Sequence, residues 1–218
     1  MKVLSVLAVL LIASTVFSQE KLFQAEIGLN RSWFNSELDV LNNIKTEFRP
    51  QFTAGIQYKI TSISNFSLKV GLRYYNLSRY IDMSPYGYSN GSLGTFDNYL
   101  LSVPLQINYN IDIINTYIFL NLEPSYILNS KTKSPSFSAP YDFETRDVTT
   151  EMNRIQFVVG IGLEYVFDIS QQKFGIKSIY NYGLTNIPKE GEFTDSRGTH
   201  SWVLFKTSEL NLLITYYF

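Results

Sequence analysis

The sequence predicts an all-β chain: a transmembrane antiparallel up-and-down β-barrel of about eight strands. Short turns are expected on one rim and long loops on the other. Three observations carry this. Eight segments alternate apolar and polar residues with period two. The connections between them are alternately brief and long. The chain holds 16 Tyr and 16 Phe, and on the apolar face these gather at segment ends, where a spanning barrel needs interfacial girdles.

The last segment, Ser208 to Phe218, shows the pattern most clearly. Leu210, Leu212, Ile214, Tyr216 and Phe218 share one face, opposite Glu209, Asn211, Leu213, Thr215 and Tyr217. About 9–11 residues suffice for a strand to cross a bilayer. The segment resembles the closing strand of bacterial outer-membrane barrels, which ends in Phe with an aromatic two residues earlier. That resemblance implies that Phe218 and Tyr216 form an insertion signal read by the barrel-insertion machinery.

In chain order, Met1 to Ser18 reads as a secretory signal peptide: Lys2, an apolar run from Val3 to Ala13, then small residues before Gln19. Residues 19–218 then form one barrel domain. The chain has no Cys, so closure must come from the backbone ladder rather than disulfides. Strand one, about Leu22 to Phe34, sets Phe23, Ala25, Ile27, Leu29 and Trp33 against Gln24, Glu26, Gly28 and Asn30. Strand two, about Phe48 to Ile60, and strand three, from Phe66 to Tyr74, repeat the alternation across a Thr61–Asn65 turn. Strand four, from Tyr99 to Tyr109, contains Pro104, which predicts a local break in the ladder. Strand five, from Ile118 to Leu128, has Pro124 on its apolar face. Strands six and seven, Ile155–Phe167 and Phe174–Tyr182, flank an Asp168–Lys173 turn.

Links after strands two, four and six are about five residues long; those after one, three, five and seven run on the order of 13 to 25. The long ones are Asn35–Glu47, Leu77–Asn98, Asn129–Asn153 and Thr185–Thr207. An even strand count puts both termini on the short-turn rim, expected to be periplasmic. A soluble lipocalin-type barrel alternates equally well but faces its apolar side inward. Here the polar face carries Glu26, Lys59, Lys69, Arg73, Glu123, Arg154, Glu164, Lys177 and Glu209 together with several glycines. So many charges suit a narrow crowded interior rather than a lipid-carrying pocket. These nine residues are expected to form a luminal charge network.

Three stretches carry a family resemblance: Tyr99-Leu-Leu-Ser-Val-Pro104-Leu, Gly160-Ile-Gly162-Leu-Glu164-Tyr165, and above all Tyr180-Asn-Tyr-Gly183-Leu184-Thr185-Asn186-Ile187. They resemble the PorT-like outer-membrane barrels common in Bacteroidota. Glu123-Pro124 stands where that family usually shows Gly-Pro. The resemblance implies fold and location; one named member assists a secretion system, which implies a possible role as an accessory subunit of an outer-membrane protein-secretion complex.

Catalytic chemistry has thin support. The single His, His200, lies near Asp195 and Ser201 in the last long loop, but sequence neighbours in a loop are not a preorganised triad. Asp142, Glu144, Asp147 and Glu151 fit no calcium-loop spacing, and Gly160-x-Gly162 lacks a third glycine and a following helix. A formal net charge of −1 offers no field for nucleic acid. The stretch Ser78 to Phe96, rich in Tyr, Ser, Gly and Asn, suits either recognition or mere solubility.

The expectation is therefore an integral outer-membrane β-barrel, not an enzyme, without cofactor or metal. It acts as a structural or binding scaffold with external loops, its lumen plugged by charged side chains. Its partners would be outer-membrane lipids and lipopolysaccharide, the insertion machinery, and an external ligand or complex partner. The alternatives are the secretion-complex subunit and, third, an outer-membrane enzyme or small-solute pore.

Overall fold

The computed structural model describes residues 23–35, 51–82, 93–135, 143–189, 192–195, 198–201 and 206–218. The signal-peptide expectation at 1–18 lies outside them, as do 36–50, 83–92 and Asp142. Twelve strands are described: β1 (Phe23–Asn35), β2 (Gln51–Ile63), β3 (Phe66–Asp82), β4 (Leu93–Ser102), β5 (Leu105–Ile111), β6 (Thr116–Pro135), β7 (Phe143–Asp147), β8 (Ile155–Ile169), β9 (Gln172–Gly183), β10 (Glu192–Asp195), β11 (Gly198–Ser201) and β12 (Lys206–Tyr217).

Neighbouring strands pair antiparallel in the order β2-β1-β12-β9-β8-β6-β4-β3, and β2 pairs with β3 to close the ring. The strands β4 and β5 are one span interrupted at Val103 and Pro104, so the closed barrel has eight spans. Pro104 removes a donor, yet the register runs through it: β3 matches Arg73 with Ser102 on one side of the break and Val70 with Leu105 on the other. Gly71 N–H still donates to the Pro104 carbonyl at 3.0 Å.

The faces are inverted relative to a water-soluble barrel. Leu120 and Leu212 are each 60% exposed on the outside, whereas Arg73 is 2% and Lys177 0% exposed inside. Along the outer face of β6 the exposed apolar row runs from Ile118 to Leu128. Ten steps of about 3.3 Å at a tilt near 40° give an apolar band of roughly 25 Å, the height of a bilayer core.

The short turns are tighter than the sequence suggested. Ser64–Asn65 joins β2 to β3, with Ser64 at φ 54°. Ser170 and Gln171, at φ 49° and 69°, join β8 to β9. Two successive left-handed residues match the twist of the flanking strands, so pairing persists down to Ile169–Gln172. A 3-10 turn at Asp112–Ile114, ended by left-handed Asn115, joins β5 to β6.

The opposite rim differs more from expectation. Leu77–Asn98 and Asn129–Asn153, expected as loops, are in good part strand. The β3–β4 pairing continues out to Asp82 and Leu93, and β6 runs on to Pro135 with β7 beside it. The result is a β3-β4-β6-β7 sheet standing beyond the apolar band. The alternation that builds it was present in the sequence, since Tyr75, Leu77, Phe96 and Leu100 all turn inward and are buried.

Candidate functional site

The centre of the lumen is a chain of six buried charges. Arg73 on β3 sits between two carboxylates: its Nε donates to Glu26 Oε1 on β1 at 2.6 Å, and its Nη1 to Glu123 Oε2 on β6 at 2.6 Å. Lys177 on β9 donates to the other oxygen of Glu26 at 3.1 Å and lies 3.9 Å from Glu164 on β8. Lys69, one turn of the pleat down β3, closes the chain at 3.4 Å from Glu164. Three cations and three anions thus alternate, and charge balances within the chain.

Neutral groups complete their shells. Glu123 also accepts from Ser102 at 2.5 Å and Asn121 at 2.9 Å. Glu164 accepts from Gln24 at 3.0 Å and Thr215 at 2.7 Å. Lys69 donates to Gln24 at 2.9 Å and lies over the rings of Tyr117 and Tyr217, each centroid 5.3 Å away. Lys177 reaches Gln57 at 3.2 Å and Gln106 at 3.4 Å. Every one of the eight spans contributes a side chain to this lattice. Buried ions repay their desolvation only when paired and fully hydrogen-bonded, and the carboxylates here each hold at least two partners.

Glycine supplies the room. A Cβ on Gly175 would press on Thr215 Oγ1 and Glu164 Oε1, and one on Gly162 would enter the Phe119 ring. That ring in turn lies under Lys177, 5.4 Å from its Nζ.

Not all nine expected network residues belong to this chain. Glu209 is buried on β12 but lies outside the six. Lys59 is half-buried on β2, opposite Lys69 in register and nearer the short turn. Arg154 requires correction. It lies on a bend before β8 begins, so strand parity does not apply, and its guanidinium swings over the outward-facing Tyr126 ring at 5.8 Å.

Toward the external end the lumen turns apolar. Tyr75, Leu77, Phe96, Leu100 and Ile127 from β3, β4 and β6 pack with Val148, Met152 and Ile187 from the two following connections. These connections are latched together: Met152 bridges to Pro188, Asn153 N–H donates to Ile187 O at 2.8 Å, and Asn153 Nδ2 to Asn186 O at 2.9 Å. Thr185 Oγ1 donates to Gln156 Oε1 at 2.8 Å and accepts from Phe157 N–H at 3.1 Å. The sequence reading missed this cap, although Thr185-Asn186-Ile187, which forms half of it, was the most specific stretch of the family resemblance. Tyr75 Oη joins cap to lattice through Ser125 at 3.0 Å.

The other candidate chemistry stays dispersed. On the β10–β11 hairpin, Asp195 pairs with Gly198, His200 with Phe193 and Ser201 with Glu192. The Asp147 carboxylate accepts from Thr149 N–H at 2.9 Å and from its hydroxyl, which holds it below the usual carboxylate range, and Glu151 pairs with Arg146 at 2.5 Å. Among the described residues no three His, Asp or Glu side chains are grouped to hold a metal.

An inverted eight-span barrel with a charged lumen is the geometry of an outer-membrane protein, and residues 17–188 match the family model of the outer membrane protein beta-barrel domain. The chain belongs to that family. The barrel is thus integral to the outer membrane. Comparison with curated proteins by sequence gives no match. Among solved structures, Ail, the attachment invasion locus protein of Yersinia pestis, was solved with the heparin analogue sucrose octasulfate. It shares 16% identity over 90% of this chain and 97% of its own, at a TM-score of 0.47. The N-terminal β-barrel domain of Pseudomonas aeruginosa OprF shares 10% identity over 89% and 97%, at 0.41. The Escherichia coli outer membrane protease OmpT shares 9% over 90% and 97%, at 0.45.

Proposed function

We propose that this barrel is a closed-lumen scaffold that presents an external surface for binding or shielding, and that it performs no catalysis. The observation that carries this is the six-charge lattice. An eight-strand lumen is only wide enough for its own side chains, and here those side chains are tied across every span. The latched apolar cap supports the same reading at the external end. The β3-β4-β6-β7 projection supplies the recognition surface, a rigid frame for the Tyr-, Ser- and Gly-rich stretch between Ser78 and Phe96.

Liposome swelling with small sugars tests closure. Vesicles carrying the folded protein are expected to swell no faster than protein-free vesicles; porin-like rates would make diffusion of small solutes the function instead. The PorT-like resemblance, whose most specific motif builds the cap, favours a second reading as accessory subunit of a secretion complex. A stoichiometric partner co-purifying from native outer membrane would select it over an autonomous scaffold.

A further inference from the structure

The lipid-facing surface carries its charge unevenly. On the outer faces of β9 and β12 the exposed row is wholly uncharged from Phe174 to Tyr182 and from Leu210 to Phe218. Toward the external rim two arginines interrupt this. Arg31 is exposed on β1, between outward Leu29 and Trp33, and Trp33 contacts the Tyr180 ring at 6.0 Å. Arg154 lies over Tyr126, its Nη1 3.5 Å from the tyrosine hydroxyl and 3.4 Å from the Ile127 carbonyl. Eight residues above the Phe23 girdle, at about 3.3 Å per residue and a tilt near 40°, Arg31 stands roughly 20 Å up a band of about 25 Å. It therefore sits at the depth where outer acyl chains meet headgroups.

A guanidinium on the lipid face is costly toward the midplane and near neutral at the interface. It becomes favourable there when an anion is at hand, and its planar fork fits phosphate oxygens two at a time. The charged groups around Arg154 are Lys131, Asp147 and, across β6, Asp97. Both acids are engaged by hydroxyls: Asp147 by Thr149, Asp97 by Ser78 and Thr95. We infer that Arg31 and Arg154, each set in an external aromatic belt on a different side of the barrel, bind the phosphate groups of glycolipids in the external leaflet. This inference is independent of whether the lumen is closed.

Native mass spectrometry of the full chain in mild detergent tests it, with a phosphorylated lipid A-type glycolipid and the same lipid after phosphate removal as probes. Wild type is expected to retain the phosphorylated lipid about tenfold better than the dephosphorylated one. The double variant Arg31→Gln/Arg154→Gln is expected to lose that preference while still showing boiling-dependent gel mobility, the mark of a folded barrel. Equal retention of both lipids by wild type, or full preference in the folded double variant, would overturn the inference. Should the Gln pair fail to fold, Arg31→Lys/Arg154→Lys is read instead: the charge remains but the fork is lost, and a drop of about threefold is expected. No drop counts against it. Displacement of the lipid by millimolar inorganic phosphate would assign the arginines to free phosphate and overturn the lipid site.

Discussion

Arg73 shows what a single residue does in this lumen. It is almost wholly buried and holds Glu26 and Glu123 together, so Arg73→Ala would leave two carboxylates without their main counter-charge. Breaking a buried pair from one side costs about 3–5 kcal/mol. That loss is expected in denaturant unfolding of the barrel in detergent micelles, with Arg73→Lys intermediate because one cationic nitrogen cannot hold both acids at 2.6 Å. If Arg73→Ala unfolds within about 0.5 kcal/mol of wild type, the acids are hydrated and the lattice does not hold the strands. A double-mutant cycle with Glu123→Gln separates the pair from the cost of the orphaned charge.

At the scale of elements, the barrel seam and the external cap make different demands. Phe218 exchanges both backbone hydrogen bonds with Phe23, at 3.0 and 3.2 Å, and their rings stack at 5.8 Å. Deleting Phe218 is expected to reduce inserted protein sharply, whereas Phe23→Ala removes the same stack but keeps the terminal aromatic and should insert nearly normally. Equal defects in the two would make the seam contact, not a signal, the cause. In the cap, Ile187→Ala leaves a cavity costing about 2–4 kcal/mol. Protease added outside reconstituted vesicles should then cleave faster between Val148 and Arg154, with gel mobility on heating unchanged; an unchanged cleavage rate would mean the cap does not rest on Ile187. The sequence showed the spans because parity is local: each strand announces its own two faces. It hid the projection because Ser, Gly and Asn around Ser78–Phe96 read as loop, although Tyr75, Leu77, Phe96 and Leu100 kept the alternation. The cap was illegible since Val148, Met152 and Ile187 meet only through two connections packed on a third wall.

For the whole molecule, the lattice was half visible. Parity placed Glu26, Lys69, Arg73, Glu123, Glu164 and Lys177 on one face, but which of them meet depends on stagger between strands far apart in sequence. Lys69 reaches Glu164 across 95 residues and Lys177 reaches Glu26 across 151. Arg154 escaped because parity fails at a bend. With the six charges neutralising one another and the external end sealed by apolar packing, the barrel acts as a solid rod of side chains through the bilayer. Its most direct test is single-protein recording in a planar bilayer. Pure, folded wild type is expected to give no steady conductance above the lipid baseline. A large, stable, weakly selective conductance would contradict the closed lumen and make this barrel a channel.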